Sequence, residues 1–70
     1  MNLPILSPNQ VIKSLEKLGF VYVSQKGSHR KYRKEGRSVI IPMHKELARG
    51  TLRSILEQAG IGIDELLVEL

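Results

Sequence analysis

Residues 20–42 read FVYVSQKGSHRKYRKEGRSVIIP, and their alternation decides the fold. Phe20-Val21-Tyr22-Val23 is short, β-branched and aromatic, which fits a strand, and the polar Ser24 to Ser28 that follows, with its turn glycine Gly27, predicts a reversal. His29 to Lys34 alternates around Tyr32. Glu35-Gly36 then makes a two-residue hairpin turn, weaker than Asn-Gly, and Arg37 to Ile41 gives a third strand that Pro42 ends. With Glu35 and Gly36 as the turn residues, Tyr32 lies opposite Val39, Arg30 opposite Ile41 and His29 opposite Pro42. His29, Lys31 and Arg33 then share the other face, because successive side chains of a strand point to opposite sides. The apolar pair selects the core face. Arg30 on that face requires its stem to run along the sheet edge, and Ile40 comes out exposed beside Lys31 as possible partner surface, so a slipped register is the alternative.

The flanks of this hairpin unit read as helices. Ser7 can cap the first one, Pro8 suits its first turn, and Gln10 stands three residues after Ser7 as in a capping box. Val11, Ile12, Leu15 and Leu18 repeat at helical spacing, and Gly19-Phe20 reads as a left-handed stop, so the helix covers about Pro8 to Leu18. After a loop from Met43 to Arg49, Leu52, Ile55, Leu56 and Ala59 mark a second helix that starts near Gly50 or Thr51 and stops at Gly60-Ile61. Ile63, Leu66, Leu67 and Leu70 predict a short third helix, with Asp64 and Glu65 in its first turn. Burying the apolar stripes of both main helices puts them on one face of a three-stranded antiparallel sheet. The result is an α+β fold, α-β-β-β-α with a short terminal helix, which resembles the double-stranded-RNA-binding domain. Fold alone assigns no activity.

Length and composition set the bounds. At 70 residues the chain allows one domain, expected over residues 1–70, near the size where a core leaves only about 3–5 kcal/mol of net stability. The absence of cysteine excludes disulfides, thiol catalysis and Cys-based metal sites, and suits a reducing cytoplasm. No apolar run approaches a membrane span, and Met-Asn-Leu-Pro at the start lacks the pattern of a secretion signal. The expectation is a cytoplasmic protein with no membrane partner. Residues 1–53 carry all eleven Lys and Arg against Glu16, Glu35 and Glu46, a balance of +8, whereas residues 54–70 carry only Glu57, Asp64, Glu65 and Glu69, a balance of −4. A basic body with an acidic end fits a polyanion-binding face opposite a solvating or partner-docking end; an ordinary solvated surface is the plainer reading.

Within the basic body, Gly27-Ser28-His29 delivers an imidazole into a segment that also holds Lys26, Arg30, Lys31, Arg33, Lys34 and Arg37. Cleaving RNA without a metal needs a base for the ribose 2′-hydroxyl proton, an acid for the leaving 5′-oxygen, and cations to offset charge on the phosphorane. Imidazole can serve in either role near neutral pH, and a cationic neighbourhood suits the neutral form that accepts a proton. Lys31 and Arg33 on the same face, with Lys26 across the turn, could hold the scissile phosphate. Backbone N–H groups around Gly27 and Ser28 could add an anion-binding concavity. Against this stands a bland reading, in which His29 begins a strand and only contacts phosphate. His44 is equally open: it is either a second proton-transfer group near His29 or, with fewer assumptions, a loop histidine that satisfies backbone groups. A metal site is disfavoured, since Glu35 and Glu46 show no ligand spacing with the two histidines, and no cofactor is expected.

A longer set of motifs carries a family resemblance. Leu18-Gly19-Phe20, Gln25-Lys26-Gly27-Ser28-His29, Ile41-Pro42-Met43-His44 and the run from Gly50 to Ile61 together resemble the HicA toxins of HicAB toxin–antitoxin systems, in order and spacing. The resemblance implies a metal-independent, ribosome-independent mRNA interferase, a growth-slowing endoribonuclease whose essential histidine maps onto His29. It implies a HicB-type antitoxin that masks His29, and no specific DNA binding by the toxin alone. Gly62, where a polar cap often stands, and the Lys45-Glu46-Leu47 loop are slight departures that bear on antitoxin affinity. A non-catalytic RNA-binding module shares the fold and charge and is the main alternative. A DNA-binding regulator is less well supported, because the cations lie on strands rather than on a recognition helix.

Overall fold

Ser7 starts the first helix by the predicted reciprocal bonds: its hydroxyl accepts from the Gln10 amide at 3.2 Å, and Gln10 Oε1 accepts from the Ser7 amide at 2.9 Å. In this computed structural model, which describes residues 3–70, the elements are α1 (Pro8–Lys17), β1 (Val21–Lys26), β2 (His29–Lys34), β3 (Arg37–Pro42), α2 (Arg49–Ala59) and α3 (Ile63–Val68). The expectations placed on Met1 and Asn2, as the start of the domain and of the chain, lie outside the described residues. Helix α1 closes with the Phe20 amide donating to Leu15 O at 2.9 Å and the Gly19 amide to Glu16 O at 3.0 Å, with Gly19 at φ 102. That double closure requires a left-handed residue, which glycine supplies without strain.

The strands form one antiparallel sheet in the order β1-β2-β3. Between β2 and β3 the register is the one the Glu35-Gly36 turn demands: His29 pairs with Pro42, Arg30 with Ile41, Lys31 with Ile40 and Tyr32 with Val39. Both turn residues have positive φ, 47 and 81, as a primed two-residue turn needs to match strand twist. The slipped alternative is thereby excluded. Arg30 finds the edge position its place required, half-buried, with Nε donating to Gln25 Oε1 at 2.8 Å.

Strand β1 differs from the expectation. It runs on through Ser24, Gln25 and Lys26, so the reversal is only Gly27-Ser28, and a bulge interrupts the pairing between Tyr22 and Ser24. The polar residues stay in the ladder because this ribbon buries nothing: every position of β1 is exposed. A strand there needs backbone pairing, not an apolar face.

The core lies between the sheet and the helices, and it is off-centre. Val11 and Leu15 of α1, Leu52 and Ile55 of α2, and Leu66 of α3 are buried against Tyr32, Val39 and Ile41. Helix α2 packs on β3, and Gln58 Oε1 accepts the outward-facing amide of Ile40 at 2.8 Å, so α2 covers what would be a free sheet edge. Pro42 has the same outward parity as Ile40, and its missing N–H therefore costs no ladder bond. The helical layer thus sits over β3 and the middle of β2, and β1 projects past it. Ser14 Oγ donates to Leu66 O at 2.9 Å, tying α3 to α1.

Three core residues, Leu3, Leu6 and Leu47, come from outside the predicted elements. Leu3 and Leu6 are buried, and the Leu47 amide donates to Leu6 O at 2.8 Å while Arg49 Nε donates to Leu3 O at 2.7 Å. The N-terminal segment therefore holds the loop between β3 and α2 in place.

Candidate active site

Cross-strand partners share a face, so the register defines what the open side of the sheet presents. One row runs Lys26, His29, Pro42; the next runs Ser24, Lys31, Ile40; the third runs Val21, Arg33, Ser38. His29, Lys26, Lys31 and Arg33 thus stand together on the face that carries no helix. His29, Lys26 and Arg33 are exposed and Lys31 is half-buried. Lys26 pairs directly with His29 because Gly27 and Ser28 form a two-residue turn, with Gly27 at φ 59 as its left-handed first residue. A Cβ on Gly27 would meet nothing within 4 Å, so backbone conformation rather than space favours glycine.

The other cations of the basic segment have structural partners. Lys34 Nζ donates to Leu18 O at 2.6 Å, at the carbonyl end of α1, and lies 5.8 Å from the Phe20 ring centroid. Arg30 is engaged with Gln25, whose Nε2 donates to Gly27 O at 2.9 Å. The Arg37 guanidinium lies against Gly60, filling the volume a side chain there would need. The predicted set around His29 remains turned to the open face, where Arg33 Nε donates to Ser38 Oγ across the strands at 3.4 Å.

His29 also reaches a second surface. A cleft of about 510 Å³ opens between the end of the β2–β3 hairpin and α2, lined by His29, Pro42 and His44 on one side and Thr51, Ser54 and Gln58 on the other. Ile40, 38% exposed, lines its floor and so is not a stray apolar residue. The α2 side was missed in the sequence reading, although Thr51, Ser54 and Gln58 recur at the i, i+3, i+7 spacing that marks one polar helix face. Gln58 Nε2 donates to Ser54 Oγ at 3.1 Å, which fixes that face against the β3 edge. The first turn of α2 enters the cleft at Gly50 and Thr51, and Ala48, its N-cap, supplies no capping side chain. No acidic residue lines this cleft.

The loop that carries His44 is built rather than loose. The Met43 amide donates to Ser28 O at 2.6 Å, extending the hairpin ladder by one bond, and the His44 amide donates to Pro42 O at 2.9 Å, which turns the chain toward α2. A sequence model describing the HicA toxin of bacterial toxin–antitoxin systems matches residues 8–61. The chain belongs to the HicA toxin family. A search among curated proteins gave no match. The family match covers α1, the whole sheet and α2, so both surfaces that His29 shares in this HicA chain lie inside it.

As a HicA toxin, the chain is one member of a toxin–antitoxin pair. No helix among its described residues is long and apolar enough to cross a membrane. Three of its seven acids lie in the terminal segment: Glu65 Oε1 accepts the Gly62 amide at 3.0 Å, which caps α3 despite the glycine, and Asp64 and Glu69 stand near it in sequence.

Proposed function

We propose that this HicA chain is an mRNA interferase, an endoribonuclease that acts without metal or ribosome and uses His29 as its general base. The observation that carries the reading is the open-face row in which Lys26 pairs with His29, with Lys31 and Arg33 on the same face. On this face the cations hold a phosphodiester while the imidazole removes the proton of the neighbouring 2′-hydroxyl. The 2′-oxygen then attacks phosphorus, and charge building on the phosphoryl oxygens is offset by Lys26, Lys31 and Arg33. Amides around Gly27 and Ser28 add donors to the same anion. DNA lacks the attacking hydroxyl and is spared.

The partner in this reading is a HicB-type antitoxin that covers His29. Steric masking of one exposed histidine suffices to silence the toxin in the cytoplasm, and binding also stabilises so small a domain by mass action. Excess antitoxin should block cleavage and raise the melting temperature.

The deciding experiment incubates the purified protein with single-stranded RNA in EDTA and analyses the ends. Fragments ending in 2′,3′-cyclic phosphate are expected. Intact RNA, bound with a salt dependence of about −0.7 per neutralised phosphate, would instead make the protein a non-catalytic RNA-binding module. Only 5′-phosphate ends would replace the hydroxyl attack by activated water.

A further inference from the structure

We propose that His44 is the general acid of the same reaction, protonating the 5′-oxygen as it leaves; this rests on the reading of His29 as the base. Base-catalysed attack by the 2′-oxygen forms one P–O bond and breaks another, and an alkoxide is too poor a leaving group to depart at neutral pH without a proton. The donor must reach the leaving oxygen while the base holds the 2′-oxygen, so both groups must line the space that takes the phosphate. In the cleft where β2, the loop after β3 and α2 meet, His29 and His44 are the titratable side chains of the lining. Thr51, Ser54 and Gln58 opposite them can orient a phosphate or a base edge by hydrogen bonding, but none of them can release a proton to an alkoxide near pH 7. Glu46, the nearest acid in sequence, is not in the lining.

The loop geometry makes this placement specific. Pairing of His29 with Pro42 fixes the end of the hairpin, the Met43 amide locks it to Ser28, and the turn from Pro42 to His44 brings the second imidazole into the lining of the cleft that His29 shares. Leu47, wholly buried and bonded to Leu6, anchors the other end of that loop. His44 itself is exposed, and among the described residues its side chain makes no hydrogen bond to protein. The plain alternative for such a histidine, that it satisfies loop backbone groups, therefore lacks the bond it needs.

The proton balance is complete. His29 takes the 2′-hydroxyl proton, the 2′-oxygen bonds to phosphorus, the bond from phosphorus to the 5′-oxygen breaks, and His44 gives its proton to that oxygen. The products are a 2′,3′-cyclic phosphate and a 5′-hydroxyl, and water returns the proton from His29 to His44.

The test is cleavage by wild-type, His29→Ala and His44→Ala protein of two RNAs, one ordinary and one with a bridging sulfur in place of the scissile 5′-oxygen. A thiolate leaves without a proton, so the sulfur substrate needs no acid. On ordinary RNA, His44→Ala should lose about 100-fold or more in rate. On the sulfur substrate it should return close to wild type, while His29→Ala stays impaired. Melting curves establish that each variant is folded, and His44→Gln replaces His44→Ala if the latter is not. An unchanged rate in His44→Ala on ordinary RNA, a loss that the sulfur substrate leaves in place, or rescue of His29→Ala instead would each overturn the assignment to His44. Failure of the wild type to cleave either RNA would sink the interferase reading itself.

Discussion

The two hairpins of the sheet share β2 and are built from strands of equal length, six residues each, yet they bury different things. In the β2–β3 hairpin, Tyr32, Val39 and Ile41 are buried under the helices; in the β1–β2 hairpin, every residue of β1 is exposed, Val21 at 61%. Strand β2 belongs to both. Its even positions point to the core at Tyr32, and its odd positions present His29, Lys31 and Arg33 to the open face. A period of two thus separates the residues that stabilise the domain from those turned to the open face, within one strand of six residues. In so small a domain this separation lets a highly basic surface coexist with a continuous core.

The comparison breaks most readily on β3. Ile41→Ala removes a fully buried side chain and should cost about 2–5 kcal/mol, comparable with the whole stability expected of a domain this size. Denaturant titration should find it largely unfolded, and a midpoint near that of the wild type would refute the off-centre core. Next comes Ser7→Ala, which removes one half of the α1 capping box and should lower stability by about 1 kcal/mol without altering RNA binding. On the open face, Lys31→Ala and Arg33→Ala should leave the unfolding midpoint in place. Each should reduce the salt dependence of RNA binding by about 0.7 of a logarithmic unit per decade of salt. A slope unchanged in both variants would remove them from the phosphate-binding surface. Smallest of all, Val21→Ala on the exposed strand should stay within about 0.5 kcal/mol of the wild type.

How much of this was legible in the sequence follows from which interactions are local. The register of β2 on β3 was readable because a two-residue turn and a single apolar pair, Tyr32 with Val39, determine it. Both helix ends were readable for the same reason, through Ser7 and Gln10 at one end of α1 and Gly19-Phe20 at the other. The extent of β1 was not, since Ser24 to Lys26 pair through backbone alone and carry no apolar signal. Which cations are structural was also hidden: Lys34 is occupied by Leu18 O and Arg37 by Gly60, contacts between distant parts of the chain that composition cannot reveal. His29 with Lys26, Lys31 and Arg33 emerged from alternation. The cleft did not, because it depends on α2 docking along the β3 edge through Gln58 and Ile40.

The central claim is that His29 carries chemistry and no stability. Wild-type and His29→Ala protein, measured in parallel for RNA cleavage in EDTA and for unfolding in denaturant, test it directly. The account predicts a rate lower by about 100-fold or more in His29→Ala with a midpoint close to that of the wild type. An undiminished rate, or a loss of rate that tracks a loss of folded protein, would contradict it.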